Sequence, residues 1–249
     1  MEEAYLFNRP RAEIELRRND RAELEQMGLS ALRVIGKGTF ALVFHARDAA
    51  GQSRAVKKVY CPQELLPQKN FLQGLPDHPH VIRLLACEER PAAVGGGRLL
   101  YEVYEKYDIN LDEIVRSLRA RKQAFPPRLF RRVGLCLLQA LAHLHAHGVI
   151  HRDVKPANVL LRFPGPREEG APLRYEERRA EEVEVVLADL GLAVAADRPR
   201  STTYVCTRYY RAPELLFGYL RYTESIDVWA LGCLLAELLR LRPLFRGER

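Results

Sequence analysis

The sequence predicts an α+β protein with two lobes, a small antiparallel β lobe followed by a larger and mainly helical lobe. Between residues 31 and 104, short runs of alternating apolar and polar residues are separated by glycines, a pattern typical of hairpinned strands. After Leu111 the apolar residues recur at helical spacing instead. A chain of 249 residues can bury one large core or two modest ones.

We assign the β lobe to residues 31–107. Two further strands are expected at 81–85 and 99–104, and a helix is expected to interrupt the sheet at 64–75. The first strands are marked by alternating apolar residues: Leu32, Val34, Val43, Ala55, Val56 and Val59. This order of elements, strands first and helices later, is what separates the two lobes.

The helical lobe is assigned to residues 108–249. Its first long helix is expected to begin at Pro126-Pro127 and to stop at Gly148, since proline favours the first turn and glycine the end of a helix. A second helix, 225–239, is apolar on several sides and is expected to be buried. Residues 162–182 form a charged insertion, read as a solvated hairpin with a docking element as the alternative.

The charge, the apolar runs and the cysteines of the sequence argue against several classes of protein. The net charge is +7, but basic and acidic residues are interspersed, which argues against nucleic-acid binding. Residues 1–30 are a charged extension, expected to be exposed, and contain no signal peptide. No apolar run is long enough to cross a membrane. Five scattered cysteines without a C-x-x-C pair indicate reduced thiols, hence a cytoplasmic or nuclear protein.

A glycine loop and a lysine suggest phosphate binding in the β lobe. Residues 35–43 read IGKGTFALV, and the glycines Gly36 and Gly38 would let the backbone approach a phosphate chain closely. Lys57 follows Val43 by fourteen residues, on a strand from which it could neutralise the α and β phosphates. Taken alone, these features would equally fit an ordinary hairpin with a solvated lysine.

The helical lobe adds residues for phosphoryl transfer. Residues 151–158 read HRDVKPAN, in which Asp153 can accept the proton of a substrate hydroxyl and Lys155 can offset charge on the moving phosphoryl group. Asn158 and Asp189, the latter in an Asp-Leu-Gly run, supply the amide and carboxylate oxygens that Mg²⁺ prefers.

These motifs, in this order and closed by Ala-Pro-Glu at 212–214, resemble a eukaryotic protein kinase over residues 31–249. The runs YVCTRYYRAPELL at 204–216 and SIDVWALGC at 225–233 resemble the CMGC group, and most nearly its glycogen synthase kinase branch. Compared with that family, the chain looks truncated at its C-terminus. The resemblance implies the two-lobed protein kinase fold.

The resemblance also implies ATP and Mg²⁺ as cofactors, protein substrates and room for a regulatory protein partner. Tyr204 would be an activation-loop phosphosite, and Arg152 a regulatory phosphate-binding residue. Arg211 would shape a groove that favours proline after the target residue. The nucleotide would be bound by the glycine loop, the adenine-contacting residues and the hinge: Ile35, Gly36, Gly38, Val43, Ala55, Lys57, Glu105, Tyr107 and Leu160.

One departure from the family leaves a second function open. Gln68 or Lys69 stands where a helix glutamate normally pairs with Lys57, so either Glu64 takes over in a shifted helix or the pair is missing. The main hypothesis is a Ser/Thr protein kinase, with proline-directed specificity as an option. The alternatives are a pseudokinase or regulatory fragment that binds partners without efficient catalysis and, last, a nucleic-acid-binding module. A zinc site at the histidines of 143–151 is disfavoured by their spacing.

Overall fold

The structure is a computed structural model. It describes residues 5–7, 18–37, 41–62, 74–92, 97–165, 173–175, 177–197 and 206–246. The described chain divides into two compact units, one formed by residues 10–75 and 83–107 and the other by residues 1–9, 76–82 and 108–249. One unit is built on an antiparallel sheet and the other mainly on helices, so the α+β kinase-like fold class is confirmed.

The sheet unit contains five antiparallel strands in the order β2-β3-β4-β6-β5. Their bounds are β2 Ser30–Lys37, β3 Ala41–Arg47, β4 Ser53–Cys61, β5 Leu84–Pro91 and β6 Arg98–Glu105. In this register Val43 lies opposite Lys57, and Lys57 lies opposite Glu102. Because side chains alternate between the two faces of a strand, these three residues share one face.

The opposite face of the sheet carries the core of this unit. Phe44, Val56 and Tyr101 are completely buried there, together with Leu24 from helix α1 (Arg18–Gln26). The charged N-terminal segment was expected to be exposed, and most residues of α1 are, but Asp20 and Leu24 are buried. Leu24, at 0% exposure, belongs to the core cluster of the sheet and attaches this otherwise polar helix to it.

Two acidic residues of α1 add an ionic attachment to the same face. Lys58 of β4 donates to Asp20 Oδ1 at 3.0 Å and also to Glu23. Burial alone would lower the pKa of Lys58, but the hydrogen bonds to Glu23 and Asp20 raise it. The lysine is therefore held as a cation, and α1 is fixed by both apolar and charged contacts.

The second unit holds the remaining elements. Its helices are α2 Leu111–Ala120, α3 Pro127–Ala146, α4 Pro213–Leu216 and α5 Ser225–Arg240. Its strands are β1 Tyr5–Phe7, β7 Ile109–Asn110, β8 Val149–Ile150, β9 Val159–Arg162, β10 Leu173–Tyr175, β11 Glu184–Leu187 and β12 Val194–Ala195. Short 3-10 turns lie at Pro156–Asn158, Glu177–Glu182, Leu190–Leu192 and Arg208–Tyr210.

Both predicted helices of this unit are confirmed. Helix α3 starts with proline in its first turn and is followed by Gly148 at φ +66°, a left-handed conformation that favours glycine. Helix α5 matches its prediction within one residue at its end. It is not buried on several sides, however: Val228 and Leu239 are 55% and 68% exposed, so one face alone packs into the core.

Two local predictions are corrected. The strand expected at 81–85 begins instead at Leu84, while Val81, which belongs to the second unit, makes an isolated parallel bridge with Leu187 of that same unit. In the described part of the insertion, strand β10 pairs antiparallel with β1 near the N-terminus and not with another strand of the insertion. A hairpin prediction uses only local sequence, and the pairing partner lies far away along the chain.

Within the described residues, no helix combines the length and hydropathy needed to cross a membrane. All five cysteines are free thiols.

Candidate active site

The β9–β11 ladder brings together the two predicted metal ligands. Val159 lies opposite Leu187, and beyond this pair the Ala188 N–H donates to the Asn158 carbonyl at 2.8 Å. Asn158 precedes one strand and Asp189 follows the other, so both lie at the same end of the ladder. A carboxylate and an amide oxygen at one place form a donor set that suits a hard cation such as Mg²⁺.

Asp189 has an unusual backbone conformation. Its φ is +66° and ψ is +68°, in the left-handed region that non-glycine residues rarely adopt. Its Oδ1 accepts the Gly191 N–H at 3.2 Å, which holds the side chain over the following turn. The carboxylate remains solvent-exposed and therefore accessible to a ligand.

The loop from His151 is held by the buried Asp227 at the start of α5. Asp227 Oδ2 accepts the His151 N–H at 2.8 Å, and Oδ1 accepts the Arg152 N–H at 2.9 Å. His145 Nε2 contacts the same carboxylate at 2.9 Å. Asp227 thus braces the backbone of this loop.

His151 itself is a structural member of the loop. It is fully buried; its Nε2 lies 3.1 Å from the Ala188 carbonyl, and its Nδ1 accepts the Asp153 N–H at 3.2 Å. Both contacts are satisfied when the ring hydrogen sits on Nε2, a tautomer assigned from this network. His151 therefore positions the backbone of Asp153.

Arg152 connects the loop to two other segments. Its φ is +65°, and its backbone is fixed in this conformation by Asp227. Its side chain donates to the Leu192 carbonyl at 2.6 Å and to the Tyr222 hydroxyl at 3.0 Å. The guanidinium thus spans the segment after Asp189 and the residues before α5.

Asp153 is the centre of a dense polar cluster. It is 7% exposed, and its Oδ2 contacts Lys155 Nζ at 2.7 Å and Asn158 Nδ2 at 2.9 Å. Its Oδ1 accepts the hydroxyl of Thr207 at 2.8 Å. Lys155 Nζ also donates to that hydroxyl, at 3.0 Å.

This cluster has a clear chemical capacity. The Asp153 carboxylate already accepts an O–H at hydrogen-bond distance, which is the geometry that a general base needs toward a substrate alcohol. The ammonium of Lys155 lies beside both the carboxylate and the hydroxyl, where it can balance developing negative charge. Asn158 uses its amide nitrogen on Asp153, which leaves its oxygen as the group suited to a cation.

Thr207 was missed as a site residue. It occurs in the run that was used only for its resemblance to the CMGC group, and its contact with Asp153 spans 54 positions of sequence. The available signal was a hydroxyl residue directly before a basic residue in the segment that leads to Ala-Pro-Glu. That signal does not indicate which distant carboxylate the hydroxyl meets.

In the sheet unit, the predicted phosphate-binding residues lie on one face. Gly36, Val43 and Lys57 form a row across β2, β3 and β4, and Ala55 lies two residues along on the same face. Lys57 Nζ is 4.0 Å from Glu102 Oε2, and the two side chains are 17% and 8% exposed. Glu102 was not identified from the sequence.

The other predicted nucleotide-binding residues are distributed as follows. Ile35 lies on β2, Leu160 on β9, and Glu105 ends β6 opposite Arg54. Tyr107 accepts a hydrogen bond from Lys106 through its carbonyl at 3.5 Å. Gly38, the phosphosite Tyr204 and the alternative partners of Lys57 (Glu64, Gln68 and Lys69) lie outside the described residues.

Cys206 is buried, and the histidines of 143–151 contact other residues of this unit. Burial raises the pKa of the Cys206 thiol to about 12, so it is not a thiolate nucleophile at neutral pH. His143 stacks on His78 with 4.6 Å between ring centroids, whereas His145 and His151 bind Asp227 and Ala188. Across the described ranges, no group of three or more metal-binding histidine, cysteine or acidic side chains occurs.

Tyr210, just before the Ala-Pro-Glu run, and Glu237 of α5 form a buried pair of ionisable side chains. From this pair we predict how the stability of the fold depends on pH. Tyr210 donates to Glu237 Oε2 at 2.5 Å, and both residues are buried. Burial raises the pKa of Glu237 above its usual 4.5, because the charged form loses hydration, although the Tyr210 hydrogen bond opposes this. Stability from the neutral acid is present below pH 4.5 and lost as pH rises through the raised value.

Glu237→Gln is therefore expected to become progressively more favourable to folding, relative to wild type, from pH 4.5 toward pH 7. Urea denaturation of both proteins at several pH values measures the difference. The exposed Glu224→Gln is the matched control for removal of a surface carboxylate. A Glu237→Gln difference that stays constant over this range contradicts the prediction.

A model of the protein kinase domain family matches residues 29–249. Cyclin-dependent kinase B2-1 of Arabidopsis thaliana is 31% identical over 227 residues, covering 87% of this chain and 67% of the relative. Cell division control protein 2 homolog C of Antirrhinum majus is 34% identical over 229 residues, covering 87% and 70%.

A third relative, cell division control protein 2 homolog 3 of Trypanosoma brucei brucei, is 35% identical over 225 residues, covering 86% of this chain and 63% of the relative. The chain thus spans about two thirds of the length of the curated relatives it matches. These similarities support the CMGC group, through cyclin-dependent kinases. They do not support the predicted placement in the glycogen synthase kinase branch.

Proposed function

The chain belongs to the protein kinase family, as a serine/threonine protein kinase of the CMGC group, and we propose that it transfers the γ-phosphate of ATP to serine or threonine hydroxyls of proteins. The observation that carries this proposal is the Asp153 cluster. A buried carboxylate accepts a threonine hydroxyl at 2.8 Å beside a lysine ammonium. A substrate hydroxyl needs the same two partners during transfer.

Asp153 is proposed as the catalytic base. Its carboxylate orients the substrate hydroxyl and accepts its proton as the bond to phosphorus forms. Lys155 balances the negative charge of the transferring group from a position 2.7 Å from Asp153. For a substrate to use Asp153, the Thr207 hydroxyl must share or yield Oδ1.

The donor chemistry of the site fits ATP with Mg²⁺, the cofactors that protein kinases generally use. Bound Mg²⁺ would neutralise phosphate charge, and Asn158 and Asp189 would hold it through an amide oxygen and a carboxylate. Gly36 and Lys57 would bind the phosphates. We assign the remaining nucleotide contacts to Ile35, Gly38, Val43, Ala55, Glu105, Tyr107 and Leu160.

Substrates, partners and regulation are also proposals. Arg211 supports a preference for proline after the target residue, and Tyr204 and Arg152 are proposed as the regulatory phosphosite and phosphate ligand. Relatives named as cyclin-dependent kinases favour a regulatory protein partner for this chain as well. Action in the cytoplasm or nucleus fits such a role.

Incubation of the purified protein with Mg-ATP and an arrayed library of serine, threonine and tyrosine peptides tests this function. We expect phosphate to be transferred to the serine or threonine peptides and not to the tyrosine peptides. Transfer should be lost when EDTA removes the metal. Transfer equal to that of an Asp153→Asn control would favour the pseudokinase alternative. The comparisons give that alternative no support.

A further inference from the structure

A buried carboxylate faces the proposed ATP-binding lysine from within the sheet itself. Lys57 on β4 and Glu102 on β6 are direct cross-strand partners, so their side chains leave the same face of neighbouring strands. Lys57 Nζ and Glu102 Oε2 are 4.0 Å apart. This register is fixed by an eight-residue-pair ladder from Arg54 to Cys61, so the juxtaposition does not depend on a loop.

Because the two side chains are largely buried, the charges of Lys57 and Glu102 compensate each other. Glu102 is 6% exposed, and a carboxylate at that depth is expensive unless a cation or hydrogen bonds compensate its lost hydration. The Lys57 ammonium supplies the opposite charge at a distance where solvent screening is weak. An apolar side chain could occupy this buried strand position without any need for a compensating cation, so the presence of an acid there points to a specific role.

A third residue fixes the orientation of the carboxylate. Tyr104 lies two positions along β6, on the same face, and donates its hydroxyl to Glu102 Oε2 at 3.0 Å. The same oxygen is therefore held by a hydrogen bond and directed toward the ammonium. The side chain of Glu102 is held in place by this hydrogen bond. It is therefore a suitable positioning group for the longer and more flexible side chain of Lys57.

We propose that Glu102 is the positioning residue for Lys57, holding its ammonium ready for the ATP phosphates from the neighbouring strand. Glu102 does not touch the nucleotide; it acts through Lys57. The role assigned to Lys57 rests on the proposed kinase function. Gln68 or Lys69 stands at the usual helical partner position, with Glu64 as the alternative there, and Glu102 offers an acidic partner within the sheet itself.

A double-mutant cycle on nucleotide affinity tests the coupling. Wild type, Glu102→Gln, Lys57→Met and the double variant are titrated calorimetrically with the Mg²⁺ complex of a non-hydrolysable ATP analogue. Glu102→Gln is expected to weaken binding about tenfold when Lys57 is present, and to have no further effect when Lys57 is already methionine. A change that acts only on folding would weaken both backgrounds by the same factor, and that additive result overturns the proposal.

Conservative and matched variants sharpen the test. Glu102→Asp retains the charge one methylene further away, so its affinity should fall between wild type and Glu102→Gln. Glu89→Gln is the control, since Glu89 is another acid of this sheet and lies 3.6 Å from Arg98. It is expected to bind like wild type. Equal weakening by Glu89→Gln and Glu102→Gln would contradict a specific role for Glu102.

Two further measurements keep the outcomes separate. If Glu102→Gln does not fold, as judged by thermal denaturation, the cycle is run with Glu102→Asp, and the same non-additivity is required. Wild-type phosphate transfer is measured in parallel. Absent transfer with retained coupling would refute the proposed function but not the pairing, whereas normal transfer with additive effects would refute the pairing alone.

Discussion

Replacement of Asp153 by asparagine is expected to lower kcat for phosphate transfer by about 10³-fold, because the side chain keeps its size but can no longer accept a proton. The carboxylate holds Thr207 through Oδ1 and contacts Lys155 and Asn158 through Oδ2. Asparagine can preserve part of this network, so the fold should remain. Single-turnover kinetics at saturating Mg-ATP measures the chemical step itself.

Affinity for the nucleotide separates this effect from general damage. Asp153→Asn should bind the non-hydrolysable ATP analogue within about threefold of wild type, as expected for a group that acts on the hydroxyl. Asp112→Asn is a matched control, because Asp112 also contacts a cation, Arg116, at 2.7 Å. If Asp153→Asn turns over nearly as fast as this control, Asp153 is not the base.

The second large effect is expected for Asp189→Asn, which should lower kcat/KM for Mg-ATP by about 10²- to 10³-fold. The reason is that metal ions stabilise the charge of the transition state by several kcal/mol. Asp189 shares one end of the β9–β11 ladder with Asn158, and its exposed carboxylate would carry the formal charge that binds the cation. Removal of that charge should also raise the Mg²⁺ concentration needed for half-maximal activity.

A titration of activity against free Mg²⁺ at fixed ATP measures both quantities. Asp197→Asn, an exposed acid eight residues further along the same segment, should leave the Mg²⁺ curve unchanged. An unaltered Mg²⁺ requirement in Asp189→Asn, even with reduced activity, would assign this residue a structural role through its hydrogen bond to Gly191.

The proposed catalytic residues of the second unit were largely predictable because they are encoded locally. Asp153, Lys155 and Asn158 lie within six consecutive positions, and that spacing alone places their side chains around one loop. Helix α3 was predictable for a similar reason, since its proline start and glycine stop act on the adjacent backbone. In such cases sequence neighbours are also neighbours in space.

Residues whose role depends on register or long-range packing were not predictable. Glu102 meets Lys57 only because strands 45 positions apart pair in one particular register, and a shift of one residue would turn it to the other face. Thr207 reaches Asp153 across 54 positions. The attachment of α1 to the sheet was not predicted because charged residues dominate its composition, while buried Leu24 and the contacts of Asp20 and Glu23 with Lys58 hold it there.

The attachment of α1 has a practical consequence for protein production. A recombinant fragment trimmed to the limits of the family match would start at residue 29 and lose this helix. The core cluster that contains Phe44 and Tyr101 would then lose Leu24 and Met27, and Lys58 would lose both acidic partners. An expression vector that starts upstream of Arg18 retains the native cover of the sheet, so the choice of start codon decides whether an aggregation-prone apolar surface is created.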